Sequence, residues 1–191
     1  MKKFYVMAAL VVVLLAAGNV HAQRMVYASY DPEIFTGGIS KKLHGVTFGY
    51  LKDFEFSREL HVAVGAQYRM NVKYYTENGV DMNDQLMIID VPVLLNYPIE
   101  IDGDVSFVPF GGPMASLAIA GYTAVGKTTV QWYDENSKLK RFNLYAVLGG
   151  DFCFEQFQLF GGVRLGLLDL STSDLFMIKT KGFFVGIGLN F

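Results

Sequence analysis

The chain has 191 residues, 52% of them apolar, with 20 glycines, one cysteine and a formal net charge of −2. A balance this near neutral excludes a nucleic-acid-binding surface, which needs a basic excess gathered on one face. The single thiol, Cys153, excludes an internal disulfide and any thiolate metal cluster, and reads as an unpaired buried side chain.

Lys2 and Lys3, an apolar run over residues 4–17 and the small-x-small triplet Val20-His21-Ala22 have the form of a secretory signal peptide, so residues 1–22 are expected to be removed before Gln23. The apolar run is shorter than the roughly 20 residues that a membrane-spanning helix needs. No cysteine follows the cleavage point to carry a lipid. Because Lys2 and Lys3 leave with the leader, 14 basic side chains face 18 acidic ones in the remaining 169 residues. Residues 23–191 read as one faintly acidic domain.

Beyond residue 23, strand-like alternation recurs about every 20 residues, and no convincing helical period longer than two turns interrupts it. The pattern predicts eight strands, near residues 25–30, 43–52, 59–75, 86–99, 104–121, 139–153, 158–169 and 180–191. Short connections at 52–59, 100–104 and 154–158 alternate with longer polar ones at 31–42, 76–85, 122–138 and 171–179. That alternation is the plan of an all-β, transmembrane, antiparallel up-and-down β-barrel of eight strands.

Period alone does not separate a membrane barrel from a soluble one; the contents of the two faces do. In LHVAVGAQYRMNVKY (60–74), Leu60, Val62, Val64, Tyr68, Met70 and Val72 share one face, and His61, Gln67, Arg69, Asn71 and Lys73 the other. Ile89, Val91, Val93 and Leu95 likewise oppose Asp90 and Asn96, while Phe142, Leu144, Leu148 and Phe152 oppose Asn143, Tyr145 and Asp151. Arg164 stands opposite Val163 and Leu165. A soluble, lipocalin-like barrel would have to hold all these apolar chains inside. The polar face is rich in Gly and Ala, which suits a crowded narrow lumen, and the apolar face suits a lipid-facing band. Closure also satisfies every backbone N–H and C=O within the ladder and leaves no exposed edge.

Four stretches in order, IIDVPVLLNY (88–97), FVPFGGPMASLAI (107–119), NLYAVLGGDFCF (143–154) and GFFVGIGLNF (182–191), give the chain a resemblance to the porin-like outer-membrane β-barrel family of Gram-negative bacteria, whose members are mostly small eight-stranded barrels. The resemblance spans about residues 86–191. The Gly-rich opening strand usual in such barrels is not evident in MVYASY (25–30). The resemblance implies a fold and a location and carries over no catalytic residue.

Arg69, Lys73, Asp90, Asp151 and Arg164 are the expected lumenal polar network, with His61, Gln67, Asn71, Asn96 and Asn143 nearby. Charges at membrane depth often mark a pathway or binding site. A self-neutralising network that fills the barrel is the favoured reading, since eight strands leave an interior just wide enough for side chains. Some eight-stranded outer-membrane barrels resemble lipid A-modifying enzymes, but His44 and Ser40 here lack a recognisable elbow or third partner, so no catalytic residue, metal ligand or cofactor is assigned. Trp132 and Tyr133, in the longest predicted loop, are candidates for contact with an extracellular partner, with local packing as the competing role. The final strand ends on Phe191, which resembles the signal read by the barrel assembly machinery. The expected protein is an integral outer-membrane barrel in contact with lipid, with both termini periplasmic and a structural or surface-interaction role. A narrow selective channel is the second reading and lipid A-modifying catalysis the third.

Overall fold

The computed structural model describes residues 22–191 except 39, 58, 104, 135–138 and 174. Apart from Ala22, the expected signal peptide lies outside the described residues. Regular structure among the described residues is antiparallel sheet: β1 (Ala22–Tyr30), β2 (Glu33–Gly37), β3 (Lys41–Glu55), β4 (His61–Glu77), β5 (Val80–Asn96), β6 (Ile99–Asp102), β7 (Val105–Val125), β8 (Thr128–Gln131), β9 (Phe142–Phe154), β10 (Phe157–Gly166) and β11 (Ile178–Asn190).

These eleven segments make eight staves. β1 and β2 are two halves of the first stave, because each pairs with β3 on one side and β11 on the other. Their pairing closes the ring in the order β1/β2, β3, β4, β5, β7, β9, β10, β11. β6 and β8 also pair with β7, β6 extending its β5 side and β8 its β9 side. The fold is therefore the eight-stranded up-and-down barrel that the sequence pattern predicts. Arg24 N donates to Phe191 O at 3.3 Å and Phe191 N to Arg24 O at 2.9 Å, so both ends of the sheet meet at one rim, the terminal end. The opposite rim is the loop end.

Two predicted loops turn out to be strand. At 31–42 the first stave breaks at Asp31-Pro32, where proline lacks an N–H for the ladder, and resumes as β2 up to Gly37, shortly before β3 begins at Lys41. Asp31 N still donates to Gly45 O at 2.8 Å, which keeps the two halves in line. The loop predicted at 76–85 shrinks to Asn78-Gly79, both left-handed at φ 53° and 76°, in the two-residue turn that matches strand twist. β4 and β5 stay paired right up to it, from His61↔Asn96 to Glu77↔Val80. Within the predicted 122–138 loop, β7 continues to Val125 and turns about Gly126 into β8.

The inward parity follows the sequence reading. Along β4, residues 66, 68 and 70 are exposed while Arg69 and Asn71 are buried. The outer surface carries a band of exposed large apolar chains, among them Phe48, Leu95, Leu148, Leu165 and Ile187. Inside, side chains stack in layers. An apolar plug of Phe35, Leu43, Leu86, Ile88, Leu170 and Ile178 fills the loop end. A second apolar cluster, including Leu94, Phe110, Met114, Val147 and Phe184, lines the terminal half, and charged side chains lie between the two.

Asp169 ties down the segment between β10 and β11 that feeds Leu170 into the plug. Its Oδ1 accepts the backbone N–H groups of Ile178 at 2.8 Å and Ser171 at 2.9 Å. Those bonds, the Ile178 one foremost, hold the carboxyl below the ordinary carboxylate range. A depressed folded value means that the stabilisation is complete above the unfolded value and is lost as pH falls through the folded one. The Ile178 and Ser171 amide resonances should therefore titrate together with an apparent pKa below about 3.9, the ordinary aspartate value. A midpoint at or above that value would contradict the assignment.

Candidate functional site

The break at Asp31-Pro32 sits at mid-depth and delivers two carboxylates to the lumen. Glu33, fully buried, accepts from Tyr145 OH on Oε1 at 2.6 Å and from Arg164 on Oε2 at 2.7 Å, with Arg69 Nη1 closing on the same oxygen. Arg69 reaches the other way with a bidentate grip on Asp90, Nε to Oδ2 at 3.0 Å and Nη2 to Oδ1 at 3.1 Å. Arg164 pairs with Asp31 and donates to the Pro32 carbonyl at 2.9 Å. The Tyr145 ring lies 5.5 Å from the Arg69 guanidinium and 5.8 Å from that of Arg164, within cation–π range of both.

Neutral groups complete the layer. Thr47 donates to Asp31 at 2.9 Å, Gln67 to Asp90 at 2.9 Å, and Ser116 to the other oxygen of Asp90. Asn71 donates to the Asp31 carbonyl at 2.7 Å, Asn143 to Thr180 at 2.9 Å, and Thr180 to the Tyr145 hydroxyl at 2.9 Å. Every stave contributes at least one member, so the network crosses the whole lumen. Room for it comes from small inward residues. A Cβ on Gly182 would lie 2.6 Å from Arg164 Nη2 and 2.5 Å from the Pro32 carbonyl oxygen.

Of the five side chains expected in the network, the structure brings Arg69, Asp90 and Arg164 together and leaves two apart. Lys73 faces inward nearer the loop end, its Nζ 4.9 Å above the Tyr75 ring. It lies beside a separate pair, Lys41 Nζ with the buried Asp84 at 2.6 Å. Asp151 lies toward the terminal end, where inward parity holds but no arginine among the described residues reaches it. Alternation specifies a face, not a depth, and both residues are at the wrong height. Trp132 and Tyr133 pack against the plug: Trp132 meets Phe35 edge-on at 6.3 Å and donates to Thr123 at 2.8 Å, and Tyr133 stacks on Arg141 at 5.0 Å. Their rings cap the lumen at the loop end, which is the local packing weighed as their competing role. Phe191 presents its ring on the outer surface.

The sequence reading missed Asp31 and Glu33, the acids nearest the centre. The available signal was the run Tyr27, Ser29, Asp31, Glu33, Phe35, which keeps one parity straight through the proline.

Below the charged layer lies a cavity of about 90 Å³ walled by the terminal-half apolar cluster, with Asp31 and Arg164 at its roof. It shares Asp53, Asn96, Asp151 and Gln158 with a wider vestibule of about 280 Å³ at the terminal rim. Asp53 is satisfied there by His61 at 2.9 Å and Asn96 at 3.3 Å. Among the described residues no group of three or more His, Cys, Asp or Glu is placed to hold a metal ion.

No protein-family model matches the sequence, and a search of curated proteins gives no match. Solved structures do resemble it. Ail, the attachment invasion locus protein of Yersinia pestis, aligns with a TM-score of 0.54 at 14% identity, covering 90% of this chain and 100% of that one. The fold is that of the small outer-membrane β-barrels. Neisserial surface protein A gives a TM-score of 0.53 at 14% identity, with 91% and 99% covered. At these identities the likeness is one of fold.

Counted as ions, two guanidiniums face three carboxylates in the central layer, all five buried. Removing a cation should therefore cost more than removing an anion. Arg69→Met should lower unfolding stability in lipid vesicles by about 3–5 kcal/mol. Glu33→Gln should cost less, because two carboxylates then face two guanidiniums, and Lys73→Met should change stability by less than about 1 kcal/mol. Urea titration followed by tryptophan fluorescence checks the ranking, and equal losses for all three would refute it.

Proposed function

We propose that this protein is an integral outer-membrane barrel with a sealed lumen, whose work is to strengthen the envelope and to present its loop end to partners outside, without catalysis. The observation that carries this reading is the buried layer around Glu33. It joins all eight staves and lies across the lumen, with the apolar plug filling the space above it. The exposed apolar band supports residence in lipid, since in water so large a patch would drive association. In this reading both termini lie in the periplasm and the loop end faces outward. Likeness of fold to an attachment invasion locus protein and to a surface protein is consistent with an interactive role.

A channel needs a continuous path, and breaking buried ion pairs to open one costs several kcal/mol, roughly 3–5. The lipid A reading gains no support from His44, whose Nδ1 meets the Tyr30 hydroxyl at 2.6 Å on the outer face. Inserted into a planar bilayer at high load, the protein should give no conductance steps, and Arg69→Met should lose heat resistance without gaining permeability. Stepwise currents from the parent protein would defeat the sealed-lumen reading.

Phe191 is proposed as the residue read by the assembly machinery, because its ring is free on the outer surface while its backbone closes the seam with Arg24. Deleting it should lower the yield of heat-modifiable barrel in cells while spontaneous refolding in detergent stays near normal. Equal loss in both settings would make it a seam residue only.

A further inference from the structure

The lumen is blocked toward the loop end and open toward the terminal end, and the open half has a definite chemistry. Its wall is apolar: Ala63, Leu94, Met114 and Val147 are buried there, and the rings of Phe110 and Phe184 stack at 6.2 Å. At about 90 Å³ the chamber is smaller than the roughly 150 Å³ apolar cavity that takes up benzene, so an unbranched chain fits better than a ring. At its neck two acceptor oxygens are left over. Asp151 Oδ1 and Gln158 Oε1 are buried acceptor oxygens with no hydrogen-bond donor, whereas the neighbouring Asp53 carboxylate has two. The vestibule beyond adds Glu100 and Glu155, and among the described residues its lining contains no lysine or arginine. A buried acceptor left without a donor is costly, and a carboxylate in a narrow, weakly solvated neck favours a cationic partner.

We infer that this chamber is a binding site for a small amphipathic cation, a short-chain primary amine, which enters from the terminal end. The alkyl chain lies among Met114, Val147 and Phe184, and the ammonium donates to Asp151 Oδ1 and Gln158 Oε1. Nothing passes through, because the Arg164 and Asp31 roof and the plug stand beyond. The inference goes further than the sealed-barrel role and needs only the chamber, so the bilayer conductance result does not bear on it.

The test uses the folded protein in lipid nanodiscs with 13C-methyl labels on methionine and alanine, titrated separately with n-butylamine, n-butanol and butyrate. Butylamine should shift the Met114 and Ala63 methyl signals saturably, binding at least tenfold more tightly than butanol, with butyrate inactive. Pentylamine should bind about fourfold more tightly than butylamine, the increment for one more buried methylene. Asp151→Asn should bring butylamine down to the butanol affinity, and Val147→Phe, which fills the chamber and keeps the carboxylate, should abolish binding of both. Heat-modifiable gel mobility verifies that each variant is folded. Met70 lies on the outer face and reports simple partition into lipid. Equal affinity for butylamine and butanol, binding of butyrate as tight as that of the amine, shifts at Met70 matching those at Met114, or no saturable shift would each overturn the proposal. If Asp151→Asn does not fold, unchanged amine affinity in Val147→Phe overturns it alone.

Discussion

A carboxyl group stripped of water is the constraint around which this barrel is organised. Glu33 is fully buried, and it tolerates that burial because two guanidiniums and a phenol converge on it from three other staves. Each partner is held in turn: Arg69 by Asp90, Arg164 by Asp31, Tyr145 by Thr180. Small inward residues such as Gly182 exist to admit the arginine side chains, and the Asp31-Pro32 break exists at the depth where the acids are needed. Architecture and electrostatics are one problem here, solved at one level of the lumen.

Much of this was legible in the residues. Alternation identified the eight staves and their two faces, and the inward placing of Arg69, Asp90 and Arg164 followed from parity alone. What parity does not convey is height along the axis, because strand tilt and shear decide which inward residues share a layer. Lys73 and Asp151 therefore have the expected face yet miss the network. The first stave was the hardest to read, since Asp-Pro followed by polar and glycine residues has the composition of a loop. The polar run TENGVDMNDQ misled for a similar reason. Its only true turn is Asn78-Gly79, and the remaining residues extend two strands past the apolar band. Composition reports where a strand leaves an apolar environment, not where it ends.

The interior is also asymmetric along its axis. Toward the loop end the plug is dense and capped by the Trp132 and Tyr133 rings; toward the terminal end the walls stay apolar but the middle is empty, and the neck turns acidic. A barrel that needed only rigidity could have filled both halves alike. The difference gives the two ends separate chemistry, one a closed surface and the other a recess.

The placement of Glu33 and Thr180 on the two sides of the closing seam bears on how the molecule comes to be folded. The first stave and β11 are neighbours in the ring but lie at opposite ends of the chain, so the charged layer stays incomplete until the last pairing is made. An open sheet would leave Arg164 on β10 apart from Asp31 and Glu33, its acids on the first stave, in an environment that penalises unpaired ions. Partial structures are thereby disfavoured, and closure becomes a cooperative event rather than a gradual one. Pairings this distant in sequence also make it slow. The buried acid acts as a checkpoint on completion: a barrel with its ends unjoined is also a barrel with Arg164 unpaired.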